Sequence, residues 1–477
     1  MSNSEQSKPE QVHLLVLGGG PGGYTAAFRA ADLGLDVVLV ERDATLGGVC
    51  LNVGCIPSKA LLHTAHIMDQ ARGLTTQGID FGEPELSLDK LRGWKESVVS
   101  KLTQGLAGLA RQRGVRVLRG EGRFTGPDSL VVHSKDGRRE LHFSKAIIAA
   151  GSRPARLPFL PEDSRILDST AALELEDIPK RLLVLGGGFI GLEIASVYAA
   201  LGSRVTVVEQ AEGLLPDCDR DLVEPLRKEL EQRYEALYTG TRVASVQSQA
   251  GGLKVSFEGD RSPEIFDKLL CAAGRLPNGS LLDADKAGVR VNNQGFIAVD
   301  EFQRTNVAHV FAIGDLAGGP MLAHKATHEG KVAAEVAAGL PVANEVKVIP
   351  SVIYTDPEVA WVGLTEIQAQ RENRRYEKAS FPWMASGRAQ TMGAGAGLTK
   401  ILVDPASGVL IGAGIVGPSA GDLIAEATLA IELGLEPAEI GLTVHPHPTL
   451  AETFAFAAEA YEGTLTELYL GGKASDT

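Results

Sequence analysis

Two glycine turns of one design, each launched from an apolar strand and followed at the same distance by a glutamate, constrain this chain more than any other feature. His13 to Leu17 leads into Gly18-Gly19-Gly20-Pro21-Gly22-Gly23; Tyr24 to Leu33 then has the small residues of a closely packed helix, and Asp36 to Val40 reads as a second strand ending at Glu41. Leu182 to Leu185 repeats the plan with Gly186-Gly187-Gly188-Phe189-Ile190-Gly191, a helix from Leu192 to Leu201 and a strand Val205 to Val208 ending at Glu209. In both copies the acid lies 23 residues past the first glycine. A lone G-x-G-x-x-G turn is weak evidence. Two copies in the same strand-helix-strand context indicate two dinucleotide-binding βαβ units. Gly18, Gly20 and Gly23, and likewise Gly186, Gly188 and Gly191, let a pyrophosphate reach a helix N-terminus, while Glu41 and Glu209 can accept hydrogen bonds from an adenosine ribose.

At 477 residues the chain exceeds one ordinary core, and a prior of about 150 residues per domain suggests about three or four domains. A net charge of −14 argues against a nucleic-acid surface and is compatible with a basic protein partner. No apolar run reaches membrane length, and Met1 to Gln11 is polar without a signal pattern, so a cytoplasmic location is expected.

Against that location, the cysteines stand out. Only four occur, and Cys50 and Cys55 lie within Gly47-Gly48-Val49-Cys50-Leu51-Asn52-Val53-Gly54-Cys55-Ile56-Pro57-Ser58-Lys59, just past the first βαβ unit. A lone structural disulfide is improbable where cellular thiols keep such bonds reduced, so a redox-active pair beside a flavin is favoured. Residues five apart on a regular helix have Cα atoms about 8.6 Å apart, beyond the roughly 6.8 Å limit for a disulfide. A distorted turn is therefore required; Asn52 and Gly54 tolerate one, and Pro57 suits the first turn of the helix that follows. His63 and His66 leave a metal reading, but the spacing misses the zinc-finger pattern, so no metal is expected.

Ile147 to Gly151 and Leu269 to Gly274 read as strands returning to close each nucleotide unit. The proline-rich Ser152 to Pro161 suits a crossing between units, and helical spacing from Leu86 to Arg113 suggests an insertion in the first. From Val348 onward β-rich runs precede helices, as in a separate α+β domain. The fold class is α/β, with two Rossmann-like dinucleotide-binding domains and a C-terminal α+β dimerisation domain.

Cys50 through Lys59, Phe311-Ala312-Ile313-Gly314-Asp315, Met321-Leu322-Ala323-His324-Lys325-Ala326 and His445-Pro446-His447-Pro448-Thr449-Leu450-Ala451-Glu452 resemble, nearly end to end, the dihydrolipoamide dehydrogenases of the pyridine nucleotide-disulfide reductases. The resemblance implies oxidation of protein-bound dihydrolipoamide with reduction of NAD, in a 2-oxo acid dehydrogenase complex. It divides the chain into an FAD-binding domain (1–154), an NAD-binding domain (155–280), a central domain completing the FAD site (281–350) and an interface domain (351–477). FAD would be held by Glu41, Lys59, Gly151, Asp315 and Ala323 beside the first glycine turn, and NAD by the second turn, Glu209 and Gly274. Glu209 repels a 2′-phosphate, and Gln210 to Gly213 offers no arginine to bind one, favouring NAD over NADP.

The resemblance also implies that Cys50 is the sulfur attacked by substrate and Cys55 the thiolate next to the flavin. It assigns the base to His447, oriented by Glu452 and acting in the partner subunit of a homodimer, and pairs Lys59 with Glu193. Residue chemistry alone leaves alternatives open. Thr449-Leu450-Ala451-Glu452 is equally a capping box, Asp315 an ordinary helix N-cap, and Lys59 and Glu193 solvated helix charges. Eleven residues before Val12 are too few for a fused lipoyl domain, so lipoyl domains and the acyltransferase component are the partners expected. Other disulfide reductases with C-terminal thiols fit poorly, because no cysteine follows Cys271. A flavin-bound redox sensor would need neither His447 with Glu452 nor a second nucleotide site.

Overall fold

The computed structural model describes residues 10–469. Its first sheet has the strand order Arg116–Arg119, Val37–Glu41, Glu10–Leu17, Gly137–Ile148, Ser129–Ser134 and Glu121–Gly126, with Val310–Ala312 also paired to Gly137–Ile148. Leu17 is level with both Val40 and Ile148 in parallel register, so Gly18, Glu41 and Ala149 emerge side by side at the carboxyl edge. The central strand is apolar on both faces. Leu14 and Val16 enter one core cluster while Leu15 and Leu17 enter another, as alternation along a covered parallel strand requires.

The second sheet repeats the arrangement, in the order Ala236–Tyr238, Arg204–Val208, Arg181–Leu185, Lys268–Cys271 and Ile166–Leu167. A short antiparallel ribbon, Ser152–Pro154 against Arg275–Pro277, carries the chain between the two units where a proline-rich crossing was expected. The expected helical insertion is the 25-residue helix Leu88–Gln112.

Residues 281–350 contribute Val310–Ala312 to the first sheet, and their helix Ala323–Ala337 packs on Pro21–Asp32. The C-terminal sheet is antiparallel, in the order Ser351–Ile353, Val359–Gly363, Leu410–Val416, Leu398–Val403 and Glu377–Pro382, with helices Ala420–Leu433 and Glu452–Glu462 against it. Among the described residues no helix is long and apolar enough to cross a membrane.

Candidate active site

The distorted turn that the cysteine spacing requires is a break between two helices. Gly48–Val53 carries Cys50; Gly54, at φ −141° and ψ −113°, ends it; and Cys55 opens the next helix, Cys55–Gly73. Asn52 fastens the short helix, donating to Gly48 O at 2.9 Å and accepting from Thr45 Oγ1 at 2.7 Å. The break brings the two thiols within hydrogen-bonding reach. Cys50 is half-buried and Cys55 opens toward the surface. The hydrogen bond from Cys50, together with the nearby Lys59 ammonium, outweighs burial and lowers the Cys55 thiol to about 7. Cys50 moves the other way, raised by donating that hydrogen bond, by burial and by repulsion from Cys55. The pair thus loses its first proton at Cys55, at the first position of a helix whose dipole favours a thiolate.

One turn on, Lys59 Nζ lies 2.8 and 3.0 Å from the two carboxylate oxygens of buried Glu193. The contact follows from packing: Leu61 and Leu62 share an apolar cluster with Leu192 and Ile194 of Phe189–Ala200, the helix that carries Glu193. Tyr354 of the C-terminal domain donates its N–H to Glu193 at 3.1 Å and sets its ring 4.5 Å from Lys59 Nζ.

Cys50, Cys55, Lys59 and Glu193 line one cleft of about 1670 Å³, mouth included, together with Gly18, Gly20, Glu41, Gly151, Asp315 and Ala323. The glycines divide by role. Gly18, at φ +108°, could not carry a Cβ without collision with the Ala149 carbonyl, nor Gly23 without collision with Gly18; at Gly20 the nearest atom would be 3.9 Å away. The outer two build the turn, and the middle one has room for a methyl group.

Glu41 accepts from the Gly19 N–H at 2.6 Å and the Asp43 N–H at 2.8 Å; burial raises its carboxyl despite them. Gly20 caps Pro21–Asp32 without a side-chain hydrogen bond, leaving first-turn N–H groups to face an anion. An uncapped helix start, a buried carboxylate beside it and a thiol pair lining the same cleft fit FAD.

Asp315 lies inside the 3₁₀ turn Gly314–Leu316, whose N-cap is Ile313, so it is not the helix cap that its sequence context allowed. Its Oδ2 accepts from Ser152 Oγ, which in turn accepts from Arg275 Nε at 2.7 Å. Arg275, Asn278 and the Gly120-Glu121-Gly122 corner also line the cleft, and sequence reading missed them. A basic residue directly after the positive-φ Gly274 was the available signal for Arg275.

The second turn copies the first. Gly186 has φ +110°, a Cβ on Gly191 would collide with Gly186, and none at Gly188 would meet an atom within 4 Å. Glu209 accepts from Gly187 N–H and Ala211 N–H, each at 2.7 Å, as Glu41 does from Gly19 and Asp43. Arg220, the next basic residue, donates inward to the carbonyls of Leu214, Leu215 and Cys218. Glu209, Gly274 and the three turn glycines lie outside the FAD cleft, whereas Phe189, Ile190 and Glu193 border it.

His447 and Glu452 are joined, Nδ1 to Oε1, at 2.8 Å. Glu452 Oε2 also accepts from the Thr449 N–H at 2.7 Å, but Thr449 Oγ1 donates to Pro446 O, so one arm of the capping box forms and the other does not. The His447 side chain is 79% exposed, whereas His445 has both ring nitrogens engaged, by Thr443 O and Glu426. Within one chain His447 does not reach the cleft that holds Cys50 and Cys55.

Elsewhere, Asp219, Asp221 and Glu366 converge with the spacing of a metal site, but Lys400 Nζ sits among them at 2.8, 2.6 and 2.7 Å and takes the cation's place.

The model of the pyridine nucleotide-disulphide oxidoreductase family matches residues 12–330, and that of the family's dimerisation domain matches residues 349–458, which include His447 and Glu452; the latter supports a homodimer. The chain is 53% identical to a dihydrolipoyl dehydrogenase of Vibrio cholerae over 97% of this chain and 98% of that one. It is 52% identical to a dihydrolipoyl dehydrogenase of Haemophilus influenzae over 97% of each. Among solved structures, LpdA from Mycobacterium tuberculosis superposes with a TM-score of 0.86 at 26% identity, covering 94% of this chain and 99% of that one. The HOCl-induced flavoprotein disulfide reductase RclA from Escherichia coli gives 0.83 at 28% identity, with 94% and 99% covered. The chain belongs to the pyridine nucleotide-disulphide oxidoreductase family, within its dihydrolipoyl dehydrogenase group.

Proposed function

We propose that this chain oxidises the dihydrolipoyl group of a partner protein to lipoyl and passes the electron pair to NAD, with FAD in the cleft between the two. The observation that carries this reading is the thiol pair: a helix break holds Cys50 against Cys55 in the same cleft as the first glycine turn, with Lys59 and Glu193 bridging to the second unit. Bound FAD supplies a two-electron carrier that accepts from a dithiol and gives to a nicotinamide.

The chain's own residues do the rest. With the pair oxidised, a substrate thiolate attacks Cys50 Sγ, the Cys50–Cys55 bond breaks, and Cys55 leaves as the thiolate that its surroundings favour. The second substrate thiol then displaces Cys50, releasing the cyclic lipoyl disulfide and leaving the dithiol. Two electrons have moved from substrate to protein. His447 of the partner subunit takes the substrate proton at Nε2, because Glu452 already engages Nδ1. Glu452 fixes the tautomer and stabilises the imidazolium.

This reading takes lipoyl domains and the acyltransferase component of 2-oxo acid dehydrogenase complexes as partners of the homodimer, and the cytoplasm as its location. It keeps the division into 1–154, 155–280, 281–350 and 351–477, with Gly274 and the second turn at NAD. A steady-state assay with free dihydrolipoamide, run with NAD and with NADP, tests it: turnover should require NAD, and a protein reduced by NADH but inert to the dithiol would overturn it.

A further inference from the structure

The turn that carries Asp315 is held from two directions. From below, the Gly314 N–H donates to Glu329 Oε2 at 2.7 Å and the Gly314 carbonyl accepts from Lys325 Nζ at 3.1 Å. Lys325 and Glu329 are themselves paired at 2.8 Å on one helix, each side chain 7% exposed. Gly314, the residue before Asp315, is thus held at both its N–H and its carbonyl.

From the side comes the relay. Arg275 Nε donates to Ser152 Oγ at 2.7 Å and its Nη2 to Ser152 O at 2.8 Å. A guanidinium can only donate, so Ser152 Oγ accepts from Arg275 and has a single proton left to give, which goes to Asp315 Oδ2. The direction of the chain of bonds is therefore set at its Arg275 end. Among the described residues Asp315 Oδ1 has no protein partner, which leaves it for a ligand hydroxyl. Arg275 itself hydrogen-bonds only to Ser152 among them and forms no carboxylate ion pair.

Arg275 follows the returning strand of the second nucleotide unit, and Asp315 lies in the wall of the FAD cleft. We propose that Arg275 is a positioning residue for FAD: through Ser152 it orients the Asp315 carboxylate, so the second nucleotide unit contributes to holding the group bound by the first. This rests on the reading of the cleft as the FAD site.

The test is a double-mutant cycle read as FAD affinity, by quenching of FAD fluorescence on addition to apoprotein, in wild type, R275M, D315N and R275M/D315N. R275M should weaken binding about tenfold, as expected for loss of a charge-assisted hydrogen bond. In the D315N background, where the carboxylate to be oriented is already gone, the same change should weaken binding by less than about twofold. Equal affinity of R275M and wild type, or full additivity with D315N, overturns the proposal. If R275M does not give folded apoprotein by circular dichroism, S152A runs the same cycle, since it removes the relay hydroxyl and keeps the guanidinium. A wild-type chain that takes up no FAD would instead sink the reading of the cleft.

Discussion

Lys59 and Glu193 form a forked ion pair, 2.8 and 3.0 Å from nitrogen to the two oxygens, that ties the helix opening at Cys55 to the helix after the second glycine turn. The two charges act on Cys55 with opposite sign, the ammonium lowering its thiol and the carboxylate raising it. K59M should therefore move the alkylation midpoint of reduced Cys55 to higher pH, and E193Q should move it to lower pH. Iodoacetamide rates against pH measure both; shifts of the same sign would contradict the geometry.

The thiol pair should titrate in two well-separated steps. Cys55 ionises near 7, while Cys50, which donates to it, is raised. Between pH 7 and 9 a reduced wild-type chain should present one reactive thiol of the pair, identified by mass mapping of the alkylated peptide. Equal labelling of Cys50 and Cys55 would mean that they do not share a proton.

H447Q should slow dihydrolipoamide oxidation by about 10²–10⁴-fold, the usual worth of general acid–base catalysis, with reduction by NADH unchanged. H445Q should have little effect on that step, because His445 is engaged by Glu426 and Thr443 within its own chain. Comparing stopped-flow reduction by the dithiol and by NADH separates the two histidines.

In each glycine turn the outer positions are closely packed and the middle one is not. G191A, whose methyl would collide with Gly186, should cost about 1–3 kcal/mol of stability, whereas G188A, with open space, should stay within about 0.5 kcal/mol and raise KM for NAD. Denaturant melts and NAD titrations check the split.

Lys400, its side chain 2% exposed among Asp219, Asp221 and Glu366, joins the second nucleotide unit to the C-terminal sheet. K400M leaves buried Asp219 without its cation, with Lys378 still 3.3 and 2.9 Å from Asp221 and Glu366, and should cost about 3–5 kcal/mol. Burial raises Glu366, but hydrogen bonds from Lys400 and Lys378 prevail and bring it to about 2. Its contribution is thus complete above its ordinary value of 4.5 and is lost as pH falls through about 2. Unfolding free energies of wild type and E366Q, from denaturant melts run at a series of pH values, should differ most above 4.5 and converge toward about 2.

Local signals carried far in this chain. Glycine turns between apolar strands located both nucleotide units, since a positive φ at Gly18 and Gly186 demands the residue that is there. The five-residue cysteine spacing required a break, and Gly54 supplies it. What stayed hidden depends on partners distant in sequence. Glu377–Pro382 is a strand whose polar residues and terminal proline disguise it, with Phe381 alone fully buried. Val310–Ala312 lies far along the chain from the first glycine turn, and nothing local to it records its pairing with Gly137–Ile148 in the first sheet. The Arg275–Ser152–Asp315 relay draws one residue from each of three segments, and no periodicity records it. Glu452 could be read as cap or as orienting group; one carboxylate oxygen does each.

The most direct measurement is an anaerobic titration of the purified, FAD-loaded protein with dithionite, counting reducing equivalents taken up per FAD. A cysteine pair in electronic contact with the cofactor should give twice the uptake of FAD alone, and C50S should return it to the single value. Uptake by wild type equal to that of FAD alone would contradict a relay through Cys50 and Cys55.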